Sequence, residues 1–431
     1  MFTRRHFLQL TAAGSAASLL PGSAAAAETP GAVPAPIAAL SSMRDQARPV
    51  SREERAARLE NARRLMRDNR LDAMVLAGGT SLVYFSNIRW WLSERFFCMV
   101  VPAKGDPFYV CPAFEEGRAR EQVGKGPLDG AHAEVRTWEE DDDPYQRFAQ
   151  GCKDRGIASG RIGLEEFMYF AYTDGLAHAV PGAQFVSATP VTAGCRMIKS
   201  AHELELMQLA STVTWKAYKA AYESLKEGMT QNDFARLVSD AHTRLGFEGG
   251  AGVQVGEYSA LPHGSALPQT IREGTILLID GGCEVEGYAS DISRTFVLGK
   301  PAANVKDKMN KVFEIERRAQ DAALAAAAPG VACEAVDAAA RKVITDAGYG
   351  PGYKYFSHRV GHGMGMDGHE WPYLVRGNKQ PLAPNMVFSD EPGIYIRGEF
   401  GIRLEDDMHI TEKGAALFTP QSPSLEDPFG K

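Results

Sequence analysis

Between residues 200 and 410 the chain reads as two amphipathic helices followed by strands, and then reads that way again. The repeat restricts its second half to a domain built from two like halves. In the first round Ser200 and Glu203 form a capping-box pattern ahead of the apolar positions Leu204, Met207, Tyr218 and Leu225, and Gly228 is expected to end the helix. Thr230 with Asp233 opens a second helix that Gly246 closes. Strand residues 275–280, a turn at Glu286-Gly287 and a return over 291–296 complete the round. The second round predicts a helix from Asn304 to just before Pro329-Gly330, another ending at Gly348, and strands at 355–360, 386–395 and 402–410. A pseudo-two-fold α+β domain follows, with its shared site where the halves meet.

The 431 residues exceed what one such domain needs. A charged helix over 52–69 and apolar strand-like runs at 73–77, 97–101 and 107–111 predict a separate α/β unit. The resulting division is 1–27, 28–48, 49–190 and 191–431. Residues 28–48 are rich in Ala and Pro and read as a tether, with folding starting near Ser51. Residues 1–27 have the form of an export signal: Arg4-Arg5-His6-Phe7-Leu8, an apolar run to Leu20, and an A-x-A site within Ala24–Ala27. The paired arginines resemble the twin-arginine type, which implies a periplasmic protein exported already folded.

With 44% hydrophobic and 23% charged residues the chain is globular. Its net charge of −7, or −9 once Arg4 and Arg5 leave with the signal, argues against nucleic acid or an anionic membrane surface as the main partner. The six cysteines include no C-x-x-C pair and read as small core residues, although an oxidising compartment would permit a disulfide. The acidic run 139–143 reads as a solvated loop.

Chemistry concentrates in the repeated domain. Asp280 and Asp291 come from the first half and Glu391 and Glu405 from the second, each pair expected near strand ends, with His362 between them. Gathered together, four carboxylates repel one another unless cations intervene. With one imidazole they suit Mn²⁺, Co²⁺, Fe²⁺ or Zn²⁺, and carboxylates can bridge two ions about 3.5–4 Å apart.

The segments carrying these residues are specific: Asp280-Gly-Gly-Cys-Glu-Val-Glu-Gly-Tyr-Ala-Ser-Asp291-Ile-Ser-Arg-Thr-Phe296, His358-Arg-Val-Gly-His362-Gly-Met-Gly, Glu391-Pro-Gly-Ile-Tyr395 and Arg403-Leu-Glu405-Asp-Asp. Over roughly residues 50–415 the chain resembles the proline-specific pita-bread (M24-type) metallopeptidases, which include aminopeptidase P and prolidase. The likeness extends to a creatinase-like N-terminal domain and the junction Arg196-Met-Ile-Lys199-Ser-Ala-His-Glu203. It implies a pair of divalent ions, with manganese first among the candidates. Asp280 would serve one ion, His362 and Glu391 the other, and Asp291 and Glu405 would bridge them. It also implies Glu391 as proton shuttle, His263 and His369 as donors to the oxyanion, and Arg403 as the residue orienting the carboxylates.

The implied reaction is hydrolysis of the N-terminal Xaa-Pro bond of short peptides by a homodimer or larger homo-oligomer. Tyr373 stands where some prolidases carry a carboxylate-binding arginine, with Arg376 three residues on, so dipeptides and longer peptides both stay open. Trp90-Trp91 with Arg95 reads equally as a substrate wall or as core and dimer packing. Three other readings exist. A metal-free creatinase-type enzyme would lack the five ligands, and a dimethylsulfoniopropionate lyase would carry an aspartate where Gly282 stands. A non-catalytic binding module would not need His263, His369 and Glu391.

Overall fold

The computed structural model describes residues 33–430. The export signal expected over residues 1–27 lies outside the described residues.

In the N-terminal part a six-stranded sheet runs in the spatial order Glu134–Trp138, Phe108–Pro112, Cys98–Pro102, Ala73–Leu76, Arg161–Leu164, Gln184–Ser187. Cys98–Pro102 is antiparallel to both its neighbours and the other pairings are parallel. Ala73–Leu76, Cys98–Pro102 and Phe108–Pro112 are buried throughout and read as unbroken apolar runs because helices cover both faces. Met74, Leu76, Met99 and Val101 pack with Leu59, Ala62 and Met66 of the helix Arg52–Asp68. The alternate set, Val75, Val100, Phe108 and Val110, packs with Phe148 and Cys152 of Pro144–Asp154.

The repeated domain follows the expected order. Helices Ala201–Glu223 and Gln231–Leu245 precede a sheet of Gly249–Val255, Ile276–Val285 and Ile292–Val297. Helices Ala303–Ala326 and Cys333–Asp346 precede a five-stranded sheet and the hairpin Gly393–Ile396/Phe400–Arg403. The capping boxes at Ser200/Glu203 and Thr230/Asp233 both form, and Gly246 closes its helix at φ 95°. Hydrogen bonds from Arg403 N to Thr295 Oγ1 (3.1 Å) and from Glu405 N to Ser293 O (3.3 Å) join the two halves.

Several expectations are corrected. The helix assigned to end at Gly228 stops at Glu223, and Gly228 lies in the following turn at φ 90°, donating to Ile271 O. Residues 355–360 form no strand. Two of their carbonyls are held by one side chain, Arg341 donating to Phe356 O (2.9 Å) and His358 O (2.8 Å), Asp337 accepts from Val360 N (3.0 Å), and Tyr355 O and Val360 O accept from Tyr395 N (3.1 Å) and Glu391 N (2.8 Å).

Nor is the segment up to residue 48 a free tether throughout. Ile37 and Met43 are buried with Leu206, Met207 and Leu245, Met43 N donates to Leu245 O (2.8 Å), and Arg244 donates to Leu40 O (3.2 Å). Composition hides this because two apolar anchors among alanines and prolines suffice to dock the strap. Ile37→Ala is expected to cost about 2–4 kcal/mol, read as a lowered thermal midpoint; a tether would leave the midpoint unchanged.

All six cysteines are buried and unpaired, which agrees with their reading as core residues. The tryptophan pair splits. Trp90 is buried and stacks on Phe97 (4.0 Å between centroids), whereas Trp91 is 78% exposed. Among the described residues no helix is long and apolar enough to cross a membrane.

Candidate metal centre

The ligand-bearing residues sit where backbone geometry turns them onto one face. Asp280 lies at the middle of Ile276–Val285, not near its end as expected, and pairs in register with Ser293. Asp291 precedes Ile292–Val297, His362 is central in Gly361–Gly363, and Glu391 follows Val387–Asp390. Glu405 joins Phe400–Arg403 to Asp406–Ile410.

The structure brings all five expected ligands together. Asp280, Asp291 and Glu405 form one group whose ligand atoms lie within 4.8 Å of one another, His362, Glu391 and Glu405 form a second, and Asp291, His362 and His369 form a third. Asp291, His362 and Glu405 each occur in two groups, so the three groups form one continuous cluster. His362 Nδ1 lies 3.1 Å from Gly363 O, an arrangement that keeps the proton on Nδ1 and leaves Nε2 facing Glu391 Oε1 (3.4 Å) and Asp291 Oδ2 (3.8 Å). Burial pushes the His362 pKa down to about 3, so the imidazole is neutral and able to ligate.

Electrostatics favour cations here. Arg403 is the only Lys or Arg paired with these carboxylates among the described residues. It donates to Asp280 Oδ2 (2.5 Å), Ser293 Oγ (2.9 Å), Tyr395 Oη (3.1 Å) and Pro262 O (3.1 Å). With one guanidinium for four carboxyl groups, ionising all four would leave three negative charges uncompensated. Burial drives Glu391 up to about 8, and burial together with the neighbouring acids drives Asp291 and Glu405 well above the carboxylate range. Such a donor set, nearly all oxygen with one imidazole and short of positive charge, fits two divalent ions.

Supporting residues follow a period of two along the strands, so each shares a face with its ligand. Ser293 stands two after Asp291, and its hydroxyl lies 2.9 Å from Asp280 Oδ1 and 2.5 Å from Glu405 Oε2. Ser389, two before Glu391, lies 3.4 Å from its Oε1 and accepts from His362 N (3.0 Å). Arg403, two before Glu405, repeats the spacing. Asp407, pushed up to about 8 by burial, accepts from Asp291 N (3.1 Å) and Ser211 Oγ (2.9 Å). Sequence reading found Arg403 but missed both serines and Asp407, which the i±2 spacing from a ligand would have flagged.

Residues on the opposite strand face enter a buried layer under the site. Asp406 accepts from Arg294 (2.7 Å), Thr419 (2.8 Å) and Gln320 (3.0 Å). The carboxyl groups of Glu316 and Asp390 are fully buried without a hydrogen-bond partner among the described residues, and burial raises both well above the usual carboxylate range.

The other expected site residues rim the cluster. His369 is exposed and stacks on His362 (3.7 Å, 17°). His263 is exposed, on the loop whose Pro262 carbonyl Arg403 holds. Arg95 pairs with Glu140 (2.9 Å), and Arg376 is exposed near Tyr353 (5.6 Å), so neither is placed by a contact with the ligand cluster. Arg359, which the sequence reading passed over, lies over the Tyr373 ring at 4.2 Å. A narrow cleft beside His369 is lined by Phe167, Trp371 and Tyr373.

Fold and site together define a metallopeptidase of the pita-bread class. Residues 205–412 match the metallopeptidase family M24 and residues 58–198 match the Creatinase/Prolidase N-terminal domain. The chain belongs to family M24. It is 32% identical over 377 residues to an Xaa-Pro dipeptidase of Lactobacillus delbrueckii subsp. lactis, covering 85% of this chain and 98% of that protein. It is 35% identical over 370 residues to a probable dipeptidase PepE of Mycobacterium tuberculosis, covering 84% and 93% respectively. Among solved structures, that of dipeptidase PepE from Mycobacterium ulcerans aligns with TM-score 0.80 at 33% identity, over 88% of this chain and 99% of that one.

Proposed function

We propose that this chain is a dinuclear-metal dipeptidase that hydrolyses the bond between an N-terminal residue and proline. The observation that carries the reading is the convergence of Asp280, Asp291, His362, Glu391 and Glu405 into overlapping ligand groups within 4.8 Å. The names of the relatives, dipeptidases and an Xaa-Pro dipeptidase, favour dipeptides over longer substrates.

Asp280 would hold one divalent ion, His362 and Glu391 the other, and Asp291 and Glu405 both. When bound, the pair supplies Lewis-acid polarisation and lowers the pKa of water towards neutrality; Mn²⁺ suits the oxygen-rich set. Glu391 takes a proton from the attacking water and returns it to the prolyl nitrogen as the C–N bond breaks. His263 and His369, both on exposed loops at the rim, donate to the oxyanion. Arg403 keeps Asp280 and Glu405 in place throughout. A dedicated site is useful because proline's tertiary amide lacks the N–H that general peptidases engage.

Two further features extend the proposal. The Arg4-Arg5 signal would deliver the folded protein to the periplasm, and the exposed Trp91 surface would seat a second copy in a homodimer.

The test is cleavage of Ala-Pro against Ala-Pro-Pro by the full chain, stripped of metal and reloaded with Mn²⁺, Co²⁺, Fe²⁺ or Zn²⁺ in turn, read by mass spectrometry. Metal-dependent release of alanine, faster from Ala-Pro, is expected. Preference for the tripeptide would make the enzyme an aminopeptidase, and no cleavage of either peptide would refute the reading.

A further inference from the structure

The ring of His369 has no hydrogen-bond partner among the described residues; it is placed only by its stacking on His362 and by its backbone. The residues flanking it are, in contrast, tightly held. Asp367, two before, accepts from Arg196 (2.5 Å) and from Thr80 Oγ1 (2.5 Å). Glu370, one after, is 7% exposed and pairs with Lys199 (2.8 Å) and with the same Arg196 guanidinium. Arg196 and Lys199 are themselves 8% and 2% exposed, so two buried cations balance two acids.

Thr80 opens the helix Thr80–Ser86 of the N-terminal domain, and Arg196 lies in the last turn of the junction helix Thr189–Met197. The fit is close, since a Cβ on Gly365 would lie 2.5 Å from Glu370 Oε1 and 3.1 Å from Lys199 Cε. Gly365 O in turn accepts from Ala289 N (2.8 Å), which ties the loop to the hairpin between Asp280 and Asp291.

We propose that Thr80, Arg196 and Lys199 are positioning residues that clamp residues 365–370 and thereby aim His369, making the N-terminal domain part of the catalytic apparatus. An ion network with no such task would be a poor choice for this place, because a buried pair gains little net stability over apolar packing. The inference rests on the proposed role of His369 at the oxyanion, and its test separates the two.

Full-length Arg196→Met and Thr80→Val are compared with the unaltered chain and with the surface control Lys342→Ala. In hydrogen exchange followed by mass spectrometry, both clamp variants are expected to exchange faster across residues 364–370, with metal content unchanged and the control unaffected. Unchanged exchange in that segment overturns the clamp, and this arm holds whatever the substrate is. On Ala-Pro, Arg196→Met is expected to lower kcat by about tenfold with KM nearly constant, and Thr80→Val by about threefold. In a His369→Ala background neither substitution should reduce kcat further; losses that multiply would show action by another route and overturn the proposal. If Arg196→Met does not fold, Thr80→Val carries both arms.

Discussion

Asp291→Asn is expected to lower kcat/KM on Ala-Pro by roughly 10³-fold, about 4 kcal/mol of transition-state stabilisation. Asp291 belongs both to the group with Asp280 and Glu405 and to the group with His362 and His369. An amide in its place has the same shape but a neutral oxygen, so it cannot offer two anionic oxygens to two ions. The backbone N–H of residue 291 still donates to Asp407 (3.1 Å), which keeps the strand entrance in place. The thermal midpoint of the metal-free variant should therefore equal or exceed that of the metal-free parent, since one of four mutually repelling acids has gone. Kinetics, metal analysis and thermal scans on the same sample check this. Near-normal turnover with full metal content would remove Asp291 from the bridging role.

Arg403→Met is expected to be the most destabilising single change at the site, costing about 3–5 kcal/mol in the metal-free protein. Arg403 is 3% exposed and touches Asp280, Ser293, Tyr395 and the Pro262 carbonyl, so its removal leaves buried acceptors without their donor. Divalent ions would replace part of the missing positive charge. The loss of thermal midpoint should therefore shrink when Mn²⁺ is present, by mass action on the folded state. Equal losses with and without Mn²⁺ would mean that Arg403 and the metals do not share the same carboxylates.

Much of the centre was legible because its chemistry is local in sequence. Asp280 and Asp291 belong to one antiparallel pair of strands and Glu391 and Glu405 flank a second hairpin, and four acids with a histidine in turn-rich strands have few other uses. The helix starts were legible for the same reason: a capping box is a four-residue event, and Ser200/Glu203 and Thr230/Asp233 both form. What could not be read depends on distant side chains. Residues 355–360 look like a strand by their Tyr, Phe and Val, but between the end contacts of Tyr355 O and Val360 O their backbone is held by the side chains of Arg341 and Asp337 on the helix Cys333–Asp346, and no local pattern announces them. Residues 35–48 look like a tether until Ile37 meets Leu206 and Met207, some 170 positions on. The contact of Thr80 with Asp367 crosses the two domains, that of Arg196 with Asp367 starts from the junction between them, and both are equally invisible in sequence.

Asp280, Asp291, His362, Glu391 and Glu405 are expected to hold two divalent ions between them. The most direct test is metal analysis of the full chain, stripped and then titrated with Mn²⁺, with ions bound per chain followed alongside the rate of Ala-Pro cleavage. Two ions per chain are expected at saturation, and a Glu405→Gln variant is expected to fail to retain both. A single ion at full activity, or two ions retained after Glu405→Gln, would contradict the shared carboxylate bridge on which the site is built.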